Sequence, residues 1–215
     1  MNKRMLLIID VQNDFAMPNG SLYVKGGEEI IAPINERIKT GNYDMIVASM
    51  DNHPVGHCSF ASTHNKNVYD VIKLDTGIEQ MMWPDHCVQS TWGNQYAEGL
   101  DTSKINIVIN KGVDAKVDSY SAIKDNNGED GKTTGLDNLI REYFILGAIN
   151  DTYEIDIVGL AYDFCVSWTA KDISNILFEY NHVKINVIKD LTRSVFPEND
   201  IKITNELDAL AINVI

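Results

Sequence analysis

The chain has 215 residues, 44% hydrophobic and 23% charged, which is enough for one buried core without disulfide or metal staples. A formal net charge of −13 without a lysine and arginine cluster excludes a binder of phosphate backbones, and no apolar run is long enough to cross a bilayer. Three cysteines, Cys58, Cys87 and Cys165, form no disulfide framework and agree with a reducing compartment, so a cytoplasmic protein acting on a small neutral or cationic molecule is expected.

Met5 to Ile9 is a continuous apolar run, as in a strand covered on both faces, and it ends on Asp10. Loop chemistry follows through Asn19-Gly20. Ile30, Ile31, Ile34 and Ile38 make one face of a helix between Glu28 and Lys39, which Gly41-Asn42 closes. A second strand, Met45 to Met50, ends on Asp51-Asn52-His53-Pro54. Residues 56–89 have little periodicity, and so long a loop in a compact domain is usually functional. A short helix is expected after Ser90 and a third strand over Ile105 to Ile109, ending on Asn110-Lys111-Gly112. Leu136, Leu139, Ile140 and Phe144 suggest a helix. The β-branched run from Glu154 to Leu160 reads as the central strand, and a helix opens around Cys165. A strand from Val183 to Ile188, a helix from about Glu198 to Leu210 and a last strand over Ala211 to Ile215 complete the chain. No repeat, low-complexity segment or linker divides it, so one domain over residues 1–215 is expected.

Strands alternating with helices imply an α/β fold, a three-layer α/β/α arrangement around a mainly parallel sheet. Ligands in such sheets bind beyond the carboxyl ends of the strands. Asp10, Asp51, Lys111 and Cys165 each lie at or just past such an end, so all four should project to one edge. A cysteine in the first turn of a helix, with an ammonium nearby, should have a lowered pKa and act as a nucleophile. Asp10 would then accept the thiol proton and later give it to a leaving group, and backbone N–H groups of the turn would meet the oxyanion. Spacing alone leaves open a structural ion pair between Asp10 and Lys111.

Asp51-x-His53 is a two-ligand bite, and His86 in the long loop can supply a third. One carboxylate and two imidazoles suit Zn²⁺, Fe²⁺ or Mn²⁺ with positions left for water or substrate. Cys58 and Cys87 are read as packing residues. Phe15, Trp83 and Tyr120 are candidates to wall a pocket for a flat ring.

Asp10-Val11-Gln12-Asn13-Asp14-Phe15, Asp51-Asn52-His53-Pro54, Trp83-Pro84-Asp85-His86-Cys87-Val88, Asn110-Lys111-Gly112 with Asp118-Ser119-Tyr120-Ser121-Ala122, Gly159-Leu160-Ala161-Tyr162-Asp163-Phe164-Cys165-Val166 and Asp190 to Val195 occur in the order seen in nicotinamidases, within the isochorismatase-like cysteine hydrolases. The resemblance covers nearly the whole chain. It implies a catalytic triad of Asp10, Lys111 and Cys165, and metal ligands Asp51, His53 and His86 for one divalent ion, Zn²⁺ before Fe²⁺ or Mn²⁺. It further implies an oxyanion hole from the N–H groups of Ala161 and Cys165 after a cis peptide, and a nicotinamide pocket lined by Phe15, Leu22, Trp83 and Tyr120. His57 and His64 are candidates for a further ligand. Tyr162 stands where many bacterial members have threonine, which places a phenol beside the nucleophile turn. The implied reaction is hydrolysis of nicotinamide to nicotinate and ammonia through a thioester in NAD salvage, with pyrazinamide also accepted. Nucleic acid and membrane are not expected as partners, and a homo-oligomer is left open. The rival readings are a related amidohydrolase for a carbamoyl or ureido compound and a non-catalytic binding module.

Overall fold

The computed structural model describes residues 2–145, 152–180 and 182–215. The apolar run at the amino terminus forms β1 (Asn2–Ile9), followed by a single helical turn α1 (Asn13–Ala16), and the isoleucine-faced segment forms α2 (Ile31–Thr40). Next come β2 (Met45–Asp51), a turn of helix α3 (Ala61–His64), a short hairpin of β3 (Val71–Lys73) with β4 (Glu79–Met81), and β5 (Ile107–Lys111). The remainder is α4 (Leu136–Ile140) running into a wide helical turn over Arg141–Ile145, β6 (Thr152–Leu160), α5 (Ser167–Ile176), β7 (Val183–Arg193), α6 (Asp200–Asp208) and β8 (Asn213–Val214).

Six strands make one parallel sheet in the order β5-β2-β1-β6-β7-β8. Alternation along β1 divides the core. Met5, Leu7 and Ile9 pack toward Ile140 of α4, Ile173 of α5 and Leu207 of α6, while Leu6 and Ile8 pack toward Ile31, Ile34 and Ile38 of α2 and toward Trp83 and Cys87 of the long loop. The two apolar layers cover both faces, which is why Met5 to Ile9 of β1 reads as an unbroken hydrophobic run. The chain leaves β1 toward β2 on one side and returns through β6 on the other. This reversal of strand order opens a crevice beyond the carboxyl ends of β1 and β6. Gly159 permits the close approach of those strands, because a Cβ there would lie 2.0 Å from the Ile9 carbonyl oxygen.

Several expectations are corrected. No helix follows Ser90: the carbonyls of Gly93 and Gln95 instead receive the N–H groups of Asp14 and Asn13, which ties this segment to the loop after β1. The third strand is displaced to Ile107–Lys111, β7 continues to Arg193, and the last strand is only Asn213–Val214. The hairpin of β3 and β4 lies inside the segment that shows little periodicity, its three-residue strands being too short to carry a signal.

Candidate active site

Asp10 leaves β1 with φ 47°, a left-handed conformation that aspartate tolerates better than most residues. Its Oδ1 accepts a hydrogen bond from the Ser49 hydroxyl at 2.6 Å, and Oδ2 lies 2.9 Å from Lys111 Nζ but receives no well-directed hydrogen bond. A lone pair on that oxygen is therefore free. Lys111, the last residue of β5, is fully enclosed and donates to Asp51 Oδ1 at 2.5 Å, to the Ser119 carbonyl at 2.8 Å and to Cys165 Sγ at 3.5 Å. Cys165 Sγ and one carboxylate oxygen from each of Asp10 and Asp51 all fall within 4.8 Å of one another.

Cys165 lies in a π-helical turn, Tyr162–Val166, that precedes α5. Val166 and Phe164 both donate to the Ala161 carbonyl, and the Leu160–Ala161 peptide is cis. An opening helical turn leaves its first N–H groups without intrahelical partners, so the backbone from Ala161 to Cys165 can serve an anion. The expected fall in the Cys165 pKa is not found. Burial pushes the thiol well above its ordinary value, the Lys111 ammonium pulls it down, and the Asp10 and Asp51 carboxylates raise it again. Burial likewise raises the Asp10 carboxyl against the opposing Lys111 charge. Burial disfavours the Lys111 ammonium, but Asp10 and Asp51 outweigh it and hold the group well above its usual range. Burial acts upward on Asp51 as well, yet Lys111, His53 and His86 keep it far below the carboxylate norm.

Beside the triad lies a donor set suited to a cation. Asp51, His53 and His86 offer ligand atoms within 4.8 Å of one another. Each imidazole is aimed through its other nitrogen: His53 Nδ1 pairs with the Gly112 carbonyl at 2.8 Å and His86 Nδ1 with the Pro84 carbonyl at 2.7 Å. This leaves both Nε2 atoms facing Asp51 Oδ2, at 3.6 and 3.9 Å, and His53 Nε2 is buried with no hydrogen-bond partner. An orphaned buried nitrogen beside an ionised carboxylate, with Nδ1 protons fixed by backbone carbonyls, is the donor chemistry of a metal site. Burial holds His86 down at about 4, so its imidazole is neutral and able to coordinate; burial also acts downward on His53, but the Asp51 carboxylate outweighs it and raises that imidazole.

A pocket opens onto both groups, with Phe15, Leu22, Trp83 and Tyr120 in its walls alongside Asp51, His86, Ala161 and Cys165. A family model for the isochorismatase domain matches residues 4–207. The chain belongs to the isochorismatase family. Within the family it is 41% identical over 174 residues to a nicotinamidase of Acinetobacter baylyi, covering 80% of this chain and 75% of that one. The yeast nicotinamidase bound to the inhibitor nicotinaldehyde superposes with a TM-score of 0.85 at 32% identity, over 99% of each chain. A pyrazinamidase of Pyrococcus horikoshii in complex with zinc gives 0.72 at 25% identity, over 99% of this chain and 98% of that one.

In this isochorismatase-family chain, the residues that the sequence suggests as triad, metal donors, backbone donors and pocket lining meet in one crevice. His57 stacks on His53 with centroids 4.1 Å apart, its Nδ1 pairing with Ser59; burial and the His53 charge hold its pKa down at about 4. His64 lies apart, its Nε2 paired with the Cys58 carbonyl in a surface groove. The Tyr162 hydroxyl is shared with Thr204 of α6, directed away from the donor set. Sequence reading missed Asp118, Phe164 and Val195 in the pocket wall. It also missed Ser49, which holds Asp10, and Gln80, which donates to Asp118 and to the Tyr120 hydroxyl. The Asp14 carboxylate accepts from the Cys87 and Ser21 N–H groups and so fixes the turn after His86. Asp118, Phe164 and Val195 stood inside the motifs that carry the resemblance, so a signal existed; Ser49 and Gln80 are positioned only by the tertiary fold. Among the described residues, no helix is long and apolar enough to cross a membrane.

Proposed function

We propose that the chain hydrolyses nicotinamide to nicotinate and ammonia through a thioester on Cys165, and accepts pyrazinamide as an isosteric ring amide. The observation that carries this reading is the junction of a carboxylate, ammonium and thiol set with a carboxylate and two-imidazole donor set across one aromatic-walled pocket. The first set performs acyl transfer and the second addresses a ring nitrogen. The similarity to nicotinamidases, one bound to nicotinaldehyde, supports the choice of substrate.

In the proposed sequence, the free lone pair of Asp10 Oδ2 takes the Cys165 proton as sulfur attacks the amide carbonyl. N–H groups of Ala161 and Cys165 receive the developing oxyanion, in a buried site where each such donor contributes on the order of 3 kcal/mol. Asp10 then returns the proton to the amide nitrogen, the C–N bond breaks and ammonia leaves. Asp10 next takes a proton from water as its oxygen attacks the thioester, and when the C–S bond breaks Asp10 returns that proton to the departing sulfur, which releases the acid and regenerates the thiol. Lys111 keeps Asp10 and the sulfur together while its charge is balanced by Asp51. A divalent ion held by Asp51, His53 and His86, zinc before iron or manganese, would supply positive charge to orient the pyridine nitrogen. The zinc-bound pyrazinamidase supports that choice of ion.

Ammonia release from nicotinamide by the purified protein, run beside Cys165→Ala with metal assayed in both, tests the reading. Turnover that disappears in the variant while metal content stays constant is expected. Faster hydrolysis of a ureido compound than of nicotinamide would overturn the substrate assignment.

A further inference from the structure

One part of the pocket wall is held by a device outside the catalytic chemistry. Asp163 lies two residues before Cys165 and is buried. Its Oδ1 accepts the Val195 N–H at 2.9 Å and its Oδ2 accepts the Phe196 N–H at 2.8 Å. Two consecutive amides on the two oxygens of one carboxylate fix both the distance and the orientation of that backbone relative to the nucleophile turn. Val195 lines the pocket beside Trp83 and Phe164.

Phe196 extends the effect. Its ring meets Phe164 at 6.0 Å and Tyr69 at 5.4 Å between centroids, Tyr69 meets Trp83 at 5.8 Å, and Trp83 meets Phe164 at 4.9 Å. All four contacts are edge-to-face, the favoured geometry for aromatic pairs. They close a circuit of aromatic rings drawn from four separate stretches of chain. Three of its members are fixed by their own surroundings: Trp83 donates to the Tyr120 hydroxyl, the Tyr69 N–H donates to the Met82 carbonyl, and Phe164 belongs to the nucleophile turn. The fourth, Phe196, follows a strand end, and its backbone N–H is held by Asp163.

We propose that Asp163 is a positioning residue that limits the pocket to a single flat six-membered ring, by holding Val195 and Phe196 so that the aromatic circuit stays closed. Size selection is thereby coupled to the turn that carries the nucleophile. This rests on the amidohydrolase reading for its substrate but not for the clamp itself.

The test uses Asp163→Asn, whose amide keeps one acceptor and turns a donor toward a donor, together with Phe196→Ala and the double variant. Hydrogen exchange at the Val195 and Phe196 amides should accelerate at least about tenfold in Asp163→Asn while the strands of the sheet keep their protection. In kinetics, the kcat/KM ratio of nicotinamide over the fused-ring analogue quinoline-3-carboxamide should fall roughly tenfold in each single variant, and the double variant should fall no further than Phe196→Ala alone. A purely structural role for Asp163 predicts instead equal losses on both substrates. Unchanged exchange, an unchanged substrate ratio, or additive losses in the double variant would each overturn the proposal. If the wild-type protein hydrolyses neither amide, the functional reading fails separately. Hydrogen exchange and calorimetric binding of the two carboxamides then decide the clamp in the same way. Should Asp163→Asn fail to fold, Phe196→Ala still reads the circuit, and an unchanged ratio in that variant refutes it.

Discussion

Replacing Gly112 with alanine is the smallest change that should disable the metal donors. Gly112 has φ +60°, and a Cβ there would stand 2.4 Å from His53 Cε1 and 2.6 Å from His53 Nδ1. To reach ordinary contact the imidazole must retreat by about 1 Å. The carbonyl of the same residue holds His53 Nδ1 at 2.8 Å, so the methyl group pushes away the ring that the backbone orients. Left-handed backbone at alanine costs about 1–2 kcal/mol, which for a chain of this length lowers Tm by only about 2–8 °C and leaves the protein folded. The ligand effect is larger in proportion. Loss of the group that orients a coordinating histidine typically costs about 10- to 100-fold in metal affinity. Zinc affinity measured by competition with a chelating indicator, alongside Tm of the metal-free protein, separates the two contributions. A Gly112→Ala protein with wild-type zinc affinity would refute the assignment of His53 as a ligand aimed by this carbonyl.

The other predictions address the base, the metal and the sheet. Asp10→Asn should lower kcat by roughly 10²–10⁴-fold with KM changed only a few-fold, and a kcat within tenfold of wild type would remove Asp10 from the proton path. Treatment with a strong chelator should abolish turnover and zinc should restore it, whereas full activity in verified metal-free protein contradicts a functional metal. Asp156 is desolvated, which acts upward, but hydrogen bonds from Tyr43, Asn186 and Arg37 outweigh burial and hold its carboxyl below the ordinary value. Its contribution to stability is therefore complete above the unfolded-state pKa of about 3.9 and disappears as pH falls through the lower folded value. The Tm gap between wild type and Asp156→Asn should be large at pH 7 and shrink below about pH 4; a gap independent of pH would show that the charge is irrelevant.

How much was legible in the sequence follows from which interactions are local. Asp10, Asp51 and Lys111 were visible because a strand that ends on a polar residue at the carboxyl edge of a parallel sheet delivers that residue to the crevice, whatever the loops do. His86 lies in an aperiodic segment, and its placement came from motif resemblance. The geometry that aims it, the Pro84 carbonyl behind Nδ1, is local, whereas the Asp14 bond to the Cys87 N–H joins residues 73 positions apart. Ser49 and Gln80 were invisible for the same reason: one reads as part of a buried strand and the other as part of a loop until their partners arrive. The helix expected after Ser90 failed because its carbonyls are committed to the loop after β1, and Asn94 caps the Asp51 carbonyl at 2.7 Å. Tertiary hydrogen bonds there override local propensity.

The most informative disagreement concerns the thiol. A helix amino terminus and a neighbouring lysine argue for a standing thiolate, and in a solvated site they would produce one. Here Lys111 is already claimed by two carboxylates, with Asp51 Oδ1 at 2.5 Å and Asp10 Oδ2 at 2.9 Å, against 3.5 Å to sulfur. One ammonium cannot balance three anions in a buried space, so the group held least tightly keeps its proton. The resting site accordingly keeps a thiol beside an Asp10 carboxyl group whose Oδ2 has no hydrogen-bond partner. Moving the proton from Cys165 to Asp10 redistributes one negative charge about the same ammonium without changing the total. The cost of that transfer is then set by the two groups' difference in stabilisation and not by the burial they share. On the proposed mechanism, nucleophile formation would be confined to the moment when a carbonyl carbon is present to take the electron pair, and the buried sulfur would otherwise stay in its less oxidisable protonated form.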